Sequence, residues 1–149
     1  MASMELNNRK STGKSVFVID NDPIFCLLVS AFLDGTDMTV THVESADEVI
    51  EISKKEGNVD IVLINTILPD LDGIQAINNL RKNLTEVLLI GYSPYEFNEL
   101  MELAFNAGAD DFIFQPENKE RFLEIFSLYI EEELHTLKYY FDYTLAHAS

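Results

Sequence analysis

The chain reads as an α/β fold: an open five-stranded parallel sheet, doubly wound, with helices on both faces and an extended last helix. Three observations predict it. Short apolar runs of strand length alternate five times with segments of helical periodicity, the pattern of βα units on a parallel sheet. The runs at residues 15–19 and 60–65 are apolar at nearly every inner position, as strands covered on both faces are. Each of these two runs also ends in acids or amides, the first in Asp20-Asn21-Asp22-Pro23 and the second in Asn65. The carboxyl edge of such a sheet is where open α/β folds place their sites.

Element by element, the first strand is Ser15-Val-Phe-Val-Ile19. A helix begins around Pro23 with Asp22 as its cap, and it carries Ile24, Leu27, Leu28 and Ala31 at helical spacing before Gly35 ends the unit. Residues 38–43 read as the second strand. Ser45 caps a helix whose Ala46, Val49 and Ile50 face inward, and Gly57-Asn58 closes it. The third strand ends at Asn65, and the turn Thr66-Ile-Leu-Pro69-Asp70-Leu71-Asp72-Gly73 follows. Asp72 is placed to cap a helix to about Asn83 that buries Ile74, Ile77 and Leu80. The fourth strand spans residues 87–92. Ser93-Pro94 opens a helix with Phe97, Leu100, Met101, Ala104 and Phe105 on one apolar face. Gly108-Ala109 turns into a short fifth strand, residues 111–114, and the last helix starts near Pro116 or Glu117.

A length of 149 residues with 47% hydrophobic content suits one domain with a real core. Residues 1–14 carry Arg9, Lys10 and Lys14 and no apolar segment, so they read as a disordered leader rather than a signal or anchor. Apolar runs such as Val87-Leu-Leu-Ile90 fall far short of the roughly 20 residues a bilayer requires. The single cysteine, Cys26, excludes an internal disulfide and reads as a packing residue of the first helix. The cytoplasm is the expected compartment. The net charge is −16, and removing residues 1–14 leaves 7 basic against 25 acidic residues, or −18. Such a surface repels phosphate backbones and anionic membranes, so neither nucleic acid nor membrane is an expected partner.

The sequence resembles the receiver domain of bacterial two-component response regulators from about Ser15 to about Ile130. That family is flavodoxin-like; a pair of acids after its first strand holds magnesium, and its third strand ends in the aspartate that accepts a phosphoryl group. The resemblance places Asp20 on the first acid, Asn21 on the second and Asn65 on the phosphoacceptor. Ser93, 28 residues after Asn65, falls on the family's Ser/Thr, and Gln115 of Gln115-Pro116, 22 residues further on, falls on its lysine. The turn from Pro69 to Gly73 is intact, and Phe112 occupies the position of the switch aromatic. What departs is chemically coherent. A carboxylate attacks a phosphoryl donor and binds magnesium through charged oxygens; an amide does not do the first and does the second weakly. Phosphoryl transfer also needs cations at the developing charge, and Gln115 has none. Asn21, Asn65 and Gln115 are instead able to hydrogen-bond one another as a neutral network. The implied pocket is a degenerate one, without cofactor, and with Asp20 as a weak candidate at most for a metal.

The tail carries a second clue. Phe122, Leu123, Ile125, Phe126, Tyr129, Ile130, Leu134, Leu137, Tyr140, Phe141 and Leu145 fill an arc of about 200° on a helical wheel, against the roughly 100° that one core face needs. No Gly or Pro follows Pro116. One helix is therefore expected to run past Tyr140, with residues 131–149 as an extension beyond the receiver-like unit of 15–130. Leu134, Leu137, Tyr140 and Phe141 are the expected surface for self-association or a protein partner, the alternative being fold-back on the domain itself. No nucleophile elbow, Walker loop or Cys-x-x-Cys pair is present in the sequence, and Asp20-Asn21-Asp22 would repel a flavin phosphate, so catalysis is not expected. The reading is a phosphorylation-independent interaction module of two-component type. Its alternatives are a working phosphoswitch with an unusual or replaced acceptor, or the receiver portion of a larger regulator.

Overall fold

The computed structural model describes residues 13–67, 72–94, 98–114 and 124. Among them β1 (Ser15–Ile19), β2 (Thr39–Val43), β3 (Ile61–Asn65), β4 (Leu88–Ser93) and β5 (Asp111–Phe114) alternate with α1 (Pro23–Phe32), α2 (Ala46–Glu56), α3 (Gly73–Asn83) and α4 (Asn98–Ala107). All strand pairs are parallel, in the order β2-β1-β3-β4-β5. This is the doubly wound, flavodoxin-like topology. The five-strand alternation expected from the sequence is present, with strand ends shifted by a residue at β2, β3 and β4. The extended last helix lies outside the described residues, as do Pro69, Phe97, Gln115, Leu134, Leu137, Tyr140 and Phe141.

Burial follows position in the sheet. In the central β3, Ile61, Val62, Leu63 and Ile64 are all at 2% exposure or less, because helices cover both faces. Edge strand β2, Thr-Val-Thr-His-Val, is exposed at its two threonines, half-buried at Val40 and His42 and buried only at Val43. One core lies between the sheet and α2, α3 and α4, formed by Phe17, Ile19, Val62, Ile64, Leu89 and Phe112 with Val49, Ile77, Leu80 and Ala104. The opposite core joins Val16, Val18, Leu63, Ile90, Tyr92 and Ile113 to Phe25, Cys26, Val29 and Leu33 of α1 and the turn after it. Phe25 stacks flat on Tyr92, with ring centroids 3.9 Å apart. Cys26 is a packing residue, as expected, and burial pushes its thiol pKa up against a smaller opposing hydrogen bond from Ser30.

The caps are those the sequence proposes. Asp22, Ser45 and Asp72 accept from the backbone N–H of Ile24, Glu48 and Ile74, and Gly57 closes α2 in the left-handed conformation at φ 71°. Two helix faces differ from expectation. On α1 the buried residues are Phe25, Cys26 and Val29, while Ile24 and Leu27 are 61% and 66% exposed. The helix is apolar all round, so spacing alone did not identify the inner stripe. On α4, Phe105 is 41% exposed and Ala104 is the buried residue, because the helix turns its smallest apolar side chain to the sheet.

At the amino edge of the sheet, Arg81 of α3 acts as a tie. Its guanidinium donates to the carbonyls of Gly108, Leu84, Thr85 and Val87 and pairs with Asp110 at 2.6 Å. Asp110 also accepts from the Leu89 N–H.

Candidate functional site

β1 and β3 are neighbours, and the chain leaves β1 for β2 on one side while β3 lies on the other. Their carboxyl ends are therefore the topological switch point of the sheet. Asp20 follows β1 directly, and Asn65 is the last residue of β3. Register pairs Ile19 with Ile64, which brings the next residue of each strand side by side.

The contact is direct. The Asn65 Nδ2 donates to Asp20 Oδ2 at 3.3 Å, and Asn65 Oδ1 accepts from the Ile67 N–H at 2.9 Å. Asp20 is 97% buried, and its other oxygen, Oδ1, accepts from the Asp22 N–H at 3.0 Å. Both carboxylate oxygens thus face protein donors, and the amide of Asn65 uses both its ends. His42, on edge strand β2, holds the same corner: its Nε2 lies 2.6 Å from the Asp20 carbonyl. A carbonyl only accepts, so Nε2 carries the hydrogen.

Thr66, directly after Asn65, is held by two further contacts. Thr66 is buried, and both its N–H and its hydroxyl donate to the Tyr92 carbonyl, at 2.9 and 2.8 Å. The loop returns through an antiparallel bridge between Ile67 and Asp72. Gly73 then passes so close to Thr66 that a Cβ there would stand 2.4 Å from the Thr66 carbonyl oxygen. Only glycine fits at the head of α3, which gives the Asp72-Gly73 pair its physical reason: one caps and the other admits the loop. Ser93, fully buried at the end of β4, completes the row of strand ends.

Phe112 is buried on β5 at 4% exposure, and its ring lies over Gly91 of the adjacent strand. A Cβ at Gly91 would sit 2.7 Å from Phe112 Cδ2 and 3.4 Å from the Thr66 methyl. The aromatic ring, the Thr66 loop and the site strands are therefore in one packed unit.

Asp20, Asn65 and Ser93 end strands at one sheet edge, as the sequence reading places them. Asn21 departs from it: it is exposed, and the partner of Asn65 is Asp20 rather than a second amide. Of the neutral network expected among Asn21, Asn65 and Gln115, Gln115 lies outside the described residues, and the Asn65 amide donates to the Asp20 carboxylate. The reason is local. The Asp20 side chain turns back to accept from Asp22 two residues on, and Asn21, at the apex of that turn, points outward. Three contributors went unnoticed in the sequence. His42 and Thr66 act through backbone carbonyls, which no spacing reveals, whereas Gly91 inside the apolar run 88–92 was a legible sign of close approach. Among the described residues, no group of three or more His, Cys, Asp or Glu is arranged to hold a metal ion, and no helix is long and apolar enough to cross a membrane.

Comparison with known proteins agrees with the fold. The chain is 27% identical over 106 residues to a cyclic di-GMP phosphodiesterase of Thermotoga maritima, covering 71% of this chain and 28% of that protein. It is 28% identical over 102 residues to the transcriptional regulatory protein ResD of Bacillus subtilis, covering 68% of this chain and 41% of that one. The chain therefore spans well under half the length of these relatives. Among solved structures, a response regulator from Thermotoga maritima superposes with a TM-score of 0.70 at 22% identity, over 78% of this chain and 96% of that chain. The BeF3-activated DrrB receiver domain gives 0.68 at 22%, over 81% and 100%; at this identity both show the fold alone. The family described as the response regulator receiver domain matches residues 16–127, and the chain belongs to it.

Proposed function

We propose that this receiver domain works without phosphorylation, as a protein interaction module of two-component signalling whose switch pocket is held in one state. The observation that carries the reading is Asn65 at the carboxyl end of β3, its amide donating to Asp20. By the family resemblance this is the position of the phosphoacceptor. An amide nitrogen is not a nucleophile toward a phosphoryl donor at neutral pH, and its contact with Asp20 uses one of the oxygens that a cation would take. Asn21, exposed and uncharged, adds no second acid. On this reading the domain has no catalytic role of its own and acts in the cytoplasm. The unit of residues 15–130 provides the scaffold, and residues 131–149, through Leu134, Leu137, Tyr140 and Phe141, provide the surface for self-association or a protein partner. The acidic surface argues against nucleic acid and anionic membranes as partners.

Magnesium and beryllofluoride titration followed by amide NMR shifts tests this, beside acyl-phosphate labelling and an Asn65→Asp variant. The expected result is no saturable shift around Asp20 and Asn65 and no label in the parent, with saturable shifts in the variant. Saturable shifts or stoichiometric labelling in the parent would show a working phosphoswitch instead.

A further inference from the structure

β4 ends in Tyr92 and Ser93, and one residue of the neighbouring strand end grips the peptide between them. The Thr66 N–H and hydroxyl both donate to the Tyr92 carbonyl, at 2.9 and 2.8 Å. A carbonyl oxygen has two lone pairs, and here a side chain and its own backbone fill both. That carbonyl shares a rigid peptide plane with the Ser93 nitrogen, so fixing it fixes the base from which the Ser93 side chain projects. Thr66 is buried, where water does not compete for the bonds. We propose that Thr66 is a positioning residue that latches the end of β4 to the end of β3 and keeps Ser93 at one distance from position 65, whichever residue stands there. The inference rests on the pocket being held in one state, as proposed above, and names a second device that holds it, separate from the Asn65 amide.

Three observations support the latch. The first is chemical. Valine has the same branched outline as threonine, and a buried hydroxyl costs desolvation free energy unless it is bonded, so what the hydroxyl adds at this position is the bond to Tyr92. The second is that Thr66 is itself confined. Its carbonyl oxygen stands 2.4 Å from where a Cβ on Gly73 would be, and its methyl 3.4 Å from where a Cβ on Gly91 would be, so the head of α3 and the middle of β4 both limit its movement. The third is what lies behind the gripped peptide. Tyr92 stacks on Phe25 of α1, with ring centroids 3.9 Å apart, while Gly91 lies under the Phe112 ring of β5. A displacement of Ser93 toward position 65 pulls on residues 91 and 92, and the Thr66 bonds oppose it before it reaches either ring.

The test uses the full chain. Thr66→Val keeps the N–H bond and the branched shape and removes the hydroxyl; Thr66→Ser restores the hydroxyl on a smaller side chain. Native-state amide exchange at residue 66, taken against intrinsic rates and against the fully buried Leu63, is expected to speed about 10-fold in Thr66→Val, the effect of one buried hydrogen bond, and to stay near the parent in Thr66→Ser. Magnesium with beryllofluoride is then titrated into Asn65→Asp and into Asn65→Asp/Thr66→Val. Saturable amide shifts are expected to stop at Ser93 in the first and to extend to Gly91 and Phe112 in the second. Unchanged protection at residue 66 in Thr66→Val overturns the latch, and equal loss in Thr66→Val and Thr66→Ser assigns the effect to packing and overturns the hydroxyl as its cause. Shifts that reach Phe112 in Asn65→Asp alone overturn it, as does a double variant without shifts at Gly91 and Phe112. Saturable shifts in the parent instead overturn the phosphorylation-independent reading, and the exchange comparison still decides the latch.

Discussion

At Asn65 one atom decides the electrostatics of the site. Its Nδ2 sits 3.3 Å from Asp20 Oδ2; Asn65→Asp replaces that donor by an oxygen and sets two carboxylates at the same separation. Like charges this close repel by several kcal/mol even at an effective dielectric near 20, before the side chains relax. We expect Asn65→Asp to lower stability by about 1–3 kcal/mol at pH 7 in chelator and to regain most of it in magnesium, read as the midpoint of urea unfolding. One carboxyl of the pair then titrates above the ordinary carboxylate range. A raised folded pKa means the penalty is absent at acid pH, below the ordinary carboxylate value, and grows as pH rises through the raised value. A variant equally stable in chelator at both pH values would mean that the two carboxylates turn away from each other.

At the scale of elements, two close approaches fix how strands and helices meet. The Phe112 ring occupies the space that a side chain on Gly91 would fill, so β5 and β4 are matched by a missing Cβ. Gly91→Ala is expected to destabilise by about 1–3 kcal/mol, as overpacking does. Phe112→Leu in the same chain is expected to recover part of that, and the double-mutant cycle measures the coupling; strict additivity would show that the ring moves aside freely. Arg81 is the counterpart at the other edge, where it joins the end of α3 to the starts of β4 and β5. Arg81→Ala removes its donors from four carbonyls and from Asp110. A loss of about 2–3 kcal/mol is expected by urea unfolding, with Arg81→Lys intermediate because an ammonium lacks the planar fork. Sequence reading recovered the elements that announce themselves by period and cap, such as the β3 run and the Asp22, Ser45 and Asp72 caps. It recovered the strand-end positions of Asp20, Asn65 and Ser93 because loop and strand chemistry differ there. It missed what depends on three dimensions. α1 is apolar on every side, so the inner stripe was undetermined, and the partner of Asn65 was set by how the Asp20 turn closes rather than by any spacing.

For the whole molecule the dominant fact is imbalance of charge. There are 26 acidic residues and 10 Lys and Arg, so if every base were paired, 16 carboxylates would still face like neighbours. Self-repulsion of that size works against the compact state and against association of two copies alike. Screening shortens its range from about 30 Å at 0.01 M salt to about 3 Å at 1 M. Adding sodium chloride from low to near-molar concentration is therefore expected to raise the melting temperature by several degrees, the response of a domain this size to about 1–2 kcal/mol. The same addition is expected to tighten the proposed self-association, since residues 134–149 carry only Lys138 and Asp142 besides two histidines and screening removes only the repulsion around them. The two readouts separate the causes. If salt raises the melting temperature while the dissociation constant of the dimer stays flat, the repulsion acts within each copy and the contact lies away from the acidic surface. If salt weakens the dimer, ion pairs across the contact hold it together, and the nearly uncharged segment 134–149 is not its centre.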